Sequence, residues 1–192
     1  MFIKDWKKEL FTIPNFLSLF RLLLIPVYIL IYLNAKHRQE YTMAATILAL
    51  SCLTDMIDGQ IARRFNMITN VGKILDPLAD KMTQLALTIC LSIRYPALQG
   101  VLLLLVVKEL FQIIAAAIML RRGKFLNGSL VAGKVCTTVL FLSLILPVLQ
   151  PELNITTVNA IAIIDIAFLS YAFITYILAF FGRNAKIQDI EA

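Results

Sequence analysis

Histidine occurs once in these 192 residues and cysteine three times. His37 has no second imidazole to work with. Cys52, Cys90 and Cys136 lie in or beside apolar runs, without the spacing of a thiolate metal site or a disulfide framework. Zinc is therefore set aside, and the cysteines are read as buried small apolar residues. No Ser or Cys stands beside a base, which disfavours a covalent enzyme intermediate. Repeats, low-complexity tracts and long linkers are absent as well. No Ala-x-Ala site follows the first apolar run, so that run is expected to stay in place as an anchor.

What is present is apolar: 60% of the residues are hydrophobic, against about 45 to 50% in a soluble domain. The excess must face lipid. A spanning helix takes roughly 20 apolar residues, so the chain has room for about six and little else. A single membrane domain over residues 1–192 is expected. The net charge of +6 invites a nucleic-acid reading, but the basic residues gather at alternate ends of the apolar segments. That is a membrane-topology pattern, and no nucleic-acid partner is expected.

In chain order, residues 2–11 place Phe2, Ile3, Trp6, Leu10 and Phe11 near one helical face and Lys4, Lys7 and Lys8 largely on the other, the pattern of a short helix in the headgroup layer. Spans are expected at about 14–34, 41–64, 76–94, 96–120, 129–149 and 155–181. The third is expected to begin at Asp76-Pro77, because Asp suits a helix cap and Pro the first helical position. The fold is thus all-α, with six transmembrane helices after an amphipathic interfacial helix, both termini on the cytoplasmic side, in a bacterial cell membrane. The basic loop from Lys36 to Arg38 counts against this topology and is outweighed by the larger cytoplasmic set.

Four carboxylates stand out against this background: Asp55 and Asp58 near the end of span two, and Asp76 and Asp80 at the start of span three. Ionised groups in a membrane segment are functional hypotheses by default. Residues three or four apart share a helical face, so Asp55 and Asp58 point together, with Gly59 and Ala62 one turn beyond them. Carboxylates followed by residues with almost no side chain make a ledge on which a bulky ligand can approach a held metal. All-oxygen ligands suit hard cations, Mg²⁺ or Mn²⁺, and two such ions could neutralise a pyrophosphate. The plainer reading is that the aspartates pair with Arg63, Arg64, Lys73 and Lys81 at a helix end. Pairing alone requires neither the small residues nor the double spacing.

The full pattern, Asp55-x2-Asp58-Gly59-x2-Ala62-Arg63-x8-Gly72-x3-Asp76-x3-Asp80, resembles the signature of the CDP-alcohol phosphotransferases, integral-membrane enzymes of phospholipid synthesis. Every fixed position is present. The resemblance implies that Asp55, Asp58 and Asp76 bind divalent metals, with Asp80 near them as general base or as a further ligand. It also implies that Gly59, Ala62, Arg63 and Gly72 surround a cytidine diphosphate. The implied reaction is attack by an acceptor hydroxyl on the lipid-linked phosphorus of CDP-diacylglycerol, at the cytoplasmic face of the bilayer, releasing CMP. A homodimer is implied too.

Within the family, Thr12-Ile-Pro14-Asn15-Phe-Leu-Ser18-Leu-Phe-Arg21 and Asp76-Pro77-Leu-Ala-Asp80-Lys81 look most like members whose acceptor is sn-glycerol 3-phosphate. That dianion calls for cations, and Lys81, Lys134, Arg121 and Lys108 are the candidates. Lys108-Glu109 departs from the Arg-Glu more usual in such members, so inositol phosphate, serine, and phosphatidylglycerol giving cardiolipin remain open. Asn15, Ser18 and Arg21 share a face of span one; Asn15 and Ser18 are assigned to the nucleotide pocket, with a polar seam between helices as the other reading. Asp165 is expected to pair with a basic residue in the bundle. A divalent-ion transporter is a contrasting class that leaves Gly59, Ala62 and Gly72 without a purpose, and a scaffold protein would leave all four aspartates unexplained.

Overall fold

The computed structural model describes residues 12–65, 69, 71–121, 124–126, 131–181 and 187–189; within these, the side chains at 56, 58, 59, 62, 63, 73, 74, 120, 124–126, 131, 132, 134 and 187–189 lie outside the description. The interfacial helix expected over residues 2–11 falls outside it too.

Among the described residues there are six long helices: α1 (Ile13–Asn34), α2 (Arg38–Arg64), α3 (Gly72–Arg94), α4 (Gln99–Arg121), α5 (Val131–Leu149) and α6 (Ile155–Phe181). A 3-10 turn, Pro96–Leu98, leads into α4. Two three-residue strands, β1 (Lys124–Leu126) and β2 (Ile187–Asp189), pair antiparallel with Phe125 opposite Gln188, a small departure from an all-α chain.

Local chemistry sets the helix ends. Pro14 lies in the first turn of α1, where a missing N–H removes no helical bond. Helix α2 begins three residues before the expected 41, because the Glu40 carboxylate reaches back over the first turn. Its Oε2 accepts from the backbone N–H of His37 at 3.0 Å and from that of Lys36, taking up donors that a helix start leaves orphaned. Helix α3 corrects the expected start at Asp76: it opens at Gly72, with Pro77 inside. Thr69, three residues ahead, accepts the Gly72 N–H on its Oγ1 at 2.9 Å, and the Leu75 N–H bonds to the Val71 carbonyl at 2.9 Å. One helical turn is thus capped ahead of Asp76. Pro147 likewise sits within α5 rather than after it.

The chain divides into two compact units, one of residues 1–90 and 148–151, the other of residues 91–147 and 152–192. In the first, α1 and α2 form a helical hairpin. Tyr32 joins its two arms, with its ring 5.7 Å from that of Tyr28 and edge-on to that of Tyr41 at 5.5 Å. Along α3, buried Thr83 and Thr88 return their hydroxyls to the carbonyls of Ala79 and Gln84 at 2.9 and 2.8 Å. Polar positions satisfied within their own helix can be enclosed at little penalty. In the second unit, α4 packs against α6, with the Phe111 ring edge-on to Phe173 at 5.3 Å and to Phe180 at 6.0 Å. Helices α5 and α6 approach so closely that a Cβ at Gly133 would collide with the Tyr176 hydroxyl.

Residues 13–34, 96–119 and 155–181 are each long and apolar enough to cross a membrane, and residues 135–149 form a shorter apolar helix. Between 17% and 28% of the most apolar window in each of the three is covered by protein. Leu23, Leu30, Leu103, Ile163 and Leu178 all project outward, an arrangement that only lipid makes stable. The chain is an integral membrane protein. The remaining long helices, α2 and α3, carry the aspartates.

Candidate active site

Within the first unit, α1 brings a polar face to the aspartate-bearing helices. Asn15, Ser18 and Arg21 lie three residues apart, and all three are buried. Each engages something different. The Asn15 amide donates to Thr69 Oγ1 at 2.9 Å, Ser18 Oγ donates to Asp76 Oδ1 at 2.5 Å, and Arg21 reaches two aspartates. Its Nη2 is 2.6 Å from Asp55 Oδ1 on α2, and its Nη1 bonds to Asp80 Oδ1 on α3. Three helices that are remote in sequence are therefore tied by polar bonds at one level.

The carboxylates remain accessible although the arginine is not. The Arg21 side chain is 2% exposed, against 45% for Asp55 and 58% for Asp80. A guanidinium offers donors in a fixed planar fork, and here the fork is divided between two helices rather than spent on one carboxylate. That brings Asp55 and Asp80 within reach of a common cation.

Gly72 has a spatial reason to be glycine. A Cβ there would stand 2.6 Å from Asn15 Oδ1 and 3.0 Å from Thr69 Oγ1, so α1 and the start of α3 approach through this position. Among the described residues, Asp55 and Asp80 form ion pairs with Arg21 on α1, a partner the plainer sequence reading had not named. Sequence reasoning put Arg21 on the right face without giving it a partner, and it missed Thr69. The signal for Arg21 was a lone charge in an apolar helix, and for Thr69 a hydroxyl three residues before a helix start.

The side chains of Asp58, Gly59, Ala62 and Arg63 are outside the described residues, although their backbone runs in α2. Lys81 directly follows Asp80 and is exposed. The other candidate cations belong to the second unit. Lys108 is buried, with its Nζ 2.7 Å from Glu109 Oε1; Arg121 is the exposed last residue of α4; and the Lys134 side chain is outside the description. Asp165, expected to meet a basic residue, instead accepts from Ser143 Oγ on α5 at 2.6 Å. A hydroxyl on the neighbouring helix takes the role, while the buried ammonium of Lys108 is engaged by Glu109.

The model of the CDP-alcohol phosphatidyltransferase family matches residues 11–181. The chain belongs to this family. Among curated relatives of this family member, a CDP-diacylglycerol–glycerol-3-phosphate 3-phosphatidyltransferase of Rickettsia typhi is 40% identical over 42% of this chain and 44% of its own length. A cardiolipin synthase (CMP-forming) of Streptomyces coelicolor is 34% identical over 58% of this chain and 53% of its own. A cardiolipin synthase (CMP-forming)/mitochondrial hydrolase fusion protein of Schizosaccharomyces pombe is 42% identical over 46% of this chain and 14% of its own. The matched stretch thus spans about half or less of each of these relatives.

For a CDP-alcohol phosphatidyltransferase family member the implied metal fits the residues. Among the described residues no three His, Cys, Asp or Glu side chains gather tightly enough to hold an ion by themselves. Asp58, whose side chain lies outside them, stands three residues after Asp55 on α2. The donors are all carboxylate oxygens, the set for a hard divalent cation. The Arg21 guanidinium already contacts both Asp55 and Asp80.

Proposed function

We propose that this chain transfers a phosphatidyl group from CDP-diacylglycerol to sn-glycerol 3-phosphate, giving phosphatidylglycerophosphate and CMP. The observation that carries the reading is the approach of Asp55 on α2 and Asp80 on α3 to one guanidinium, with both carboxylates about half-exposed. Asp76 lies one turn before Asp80 on α3. Family membership and the Rickettsia relative support the chemistry.

In this mechanism Asp55, Asp58, Asp76 and Asp80 would hold one or two Mg²⁺ or Mn²⁺ ions. When bound, such ions neutralise pyrophosphate charge and stabilise the leaving oxygen. Asp80, with over half of its side chain exposed, accepts the proton of the acceptor hydroxyl. The freed oxygen bonds to the phosphorus that carries diacylglycerol. The bond from that phosphorus to the bridging oxygen breaks, and CMP departs with the electron pair. Gly59, Ala62, Arg63 and Gly72 leave room for and border the cytidine diphosphate, with Asn15 and Ser18 bracing this side of the site. Lys81, which directly follows Asp80 and is exposed, is the candidate cation for the acceptor phosphate.

The six helices span the bilayer in this reading, in a bacterial cell membrane with the site at the cytoplasmic face, and the chain works as a homodimer. A second acceptor, phosphatidylglycerol giving cardiolipin, is favoured by the Streptomyces and Schizosaccharomyces relatives. Purified protein in detergent with Mg²⁺ and CDP-diacylglycerol is to be offered each acceptor in turn and CMP measured. Release with glycerol 3-phosphate and not with phosphatidylglycerol, inositol phosphate or serine is expected. Release with phosphatidylglycerol alone transfers the assignment to cardiolipin synthesis, and no release with any acceptor removes the enzyme reading.

A further inference from the structure

Arg21 is the single charged residue of α1, and it is 2% exposed. A buried guanidinium in an apolar spanning helix is strongly unfavourable unless anions meet it. Among the described residues two do, and they come from different helices: Nη2 reaches Asp55 and Nη1 reaches Asp80. Neither contact is a two-pronged grip on one carboxylate, the arrangement that would maximise a single ion pair. The arginine is spread between the two groups that a divalent cation would also have to join. Asp76, by contrast, is met by the Ser18 hydroxyl at 2.5 Å, a partner that adds no charge.

We propose that Arg21 is a built-in counter-cation for the aspartate cluster. It holds Asp55 and Asp80 together while no metal is bound, and it yields part of that contact when a divalent ion enters. Guanidinium and metal are then competing occupants of the same charge position. This rests on the aspartates being a divalent-metal site, as proposed above. The physical reason is repulsion: two carboxylates brought to one level by separate helices push those helices apart unless a cation stands between them. A competitor of this kind weakens metal binding while it protects the metal-free fold, so the two effects of removing it have opposite signs. A residue that only shaped the metal site would, on removal, weaken both.

The test uses the purified full-length chain in detergent, Mn²⁺ alone as the probe, and binding followed by electron paramagnetic resonance alongside thermal unfolding with and without the ion. R21M is expected to unfold about 5 °C lower than the unsubstituted protein in chelator. It is also expected to bind Mn²⁺ about fivefold or more tightly, since its competitor is gone. Saturating Mn²⁺ should bring the two unfolding temperatures close together. R21K keeps one charge but not the divided fork, and should bind Mn²⁺ more tightly than the unsubstituted protein by a smaller factor; it carries the test if R21M does not survive purification. Unchanged or weaker Mn²⁺ binding in both variants, with clear binding to the unsubstituted protein, overturns the proposal and leaves the metal site standing. No Mn²⁺ uptake by the unsubstituted protein removes the metal site, and the proposal with it.

Discussion

Asp55 and Asp80 keep about half of their surface open while sharing a buried arginine, whereas in the second unit Lys108 and Asp165 are enclosed and their partners belong to the protein. Both regions place charge in apolar helices. Only the first leaves it where a substrate can arrive. An enclosed pair spends its charge on its own partners and holds helices in register. A half-open one, drawn from three helices, leaves part of its carboxylate surface uncovered.

The largest effect expected from this contrast is on turnover. Asp80→Asn removes the proton acceptor with little change of shape, and CMP release should fall about a thousandfold, a far larger loss than the lower unfolding temperature that follows from taking one anion away from buried Arg21. Near-normal turnover would remove Asp80 as the base. In the second unit the same logic predicts loss of stability instead. Lys108→Met removes the ammonium that meets the Glu109 carboxylate, 17% exposed, and should cost about 3 to 5 kcal/mol. Lys108→Met with Glu109→Leu should recover most of that in thermal unfolding. Failure of the double variant to recover would mean that this pair does more than satisfy itself.

The smallest effect lies at the start of α2, outside both regions. The backbone N–H groups of Lys36 and then His37 hold the Glu40 carboxyl below the ordinary carboxylate value. Such a cap stabilises fully above that ordinary value, and its contribution disappears as pH falls through the depressed one. Glu40→Gln should therefore unfold slightly earlier than the unsubstituted chain near neutral pH and match it in acid. An equal gap at both pH values would show that the carboxylate charge is not what matters.

Much of the fold was legible because lipid imposes a simple rule on sequence: the expected runs became helices with ends displaced by a few residues, three of them long and apolar enough to cross a membrane. The displacements have local causes that hydropathy does not see. Glu40 reaches backward to the Lys36 and His37 amides, and Thr69 caps Gly72. Of the candidate site, spacing indicated which aspartates share a helical face, since three and four residues make one such face. Their partner was not. Arg21 lies 34 residues before Asp55 and 59 before Asp80, and spacing says nothing across helices. Lys108 and Glu109 misled in the opposite direction. Neighbours in sequence do not face one another on a helix, yet these two long side chains fold back into contact, so a candidate acceptor cation turned out to be already engaged.

By itself the sequence determined that the protein lives in a membrane, where its helices run, and which carboxylates cluster on which helical face. All of these follow from composition and from the 3.6-residue period of a helix, which act over short stretches of chain. The tertiary structure decided what the charges meet: Arg21 between Asp55 and Asp80, Ser18 on Asp76, Ser143 on Asp165. A buried charge takes its partner from whichever helix packs against it, and that neighbour is chosen by the packing of the bundle rather than by distance along the chain.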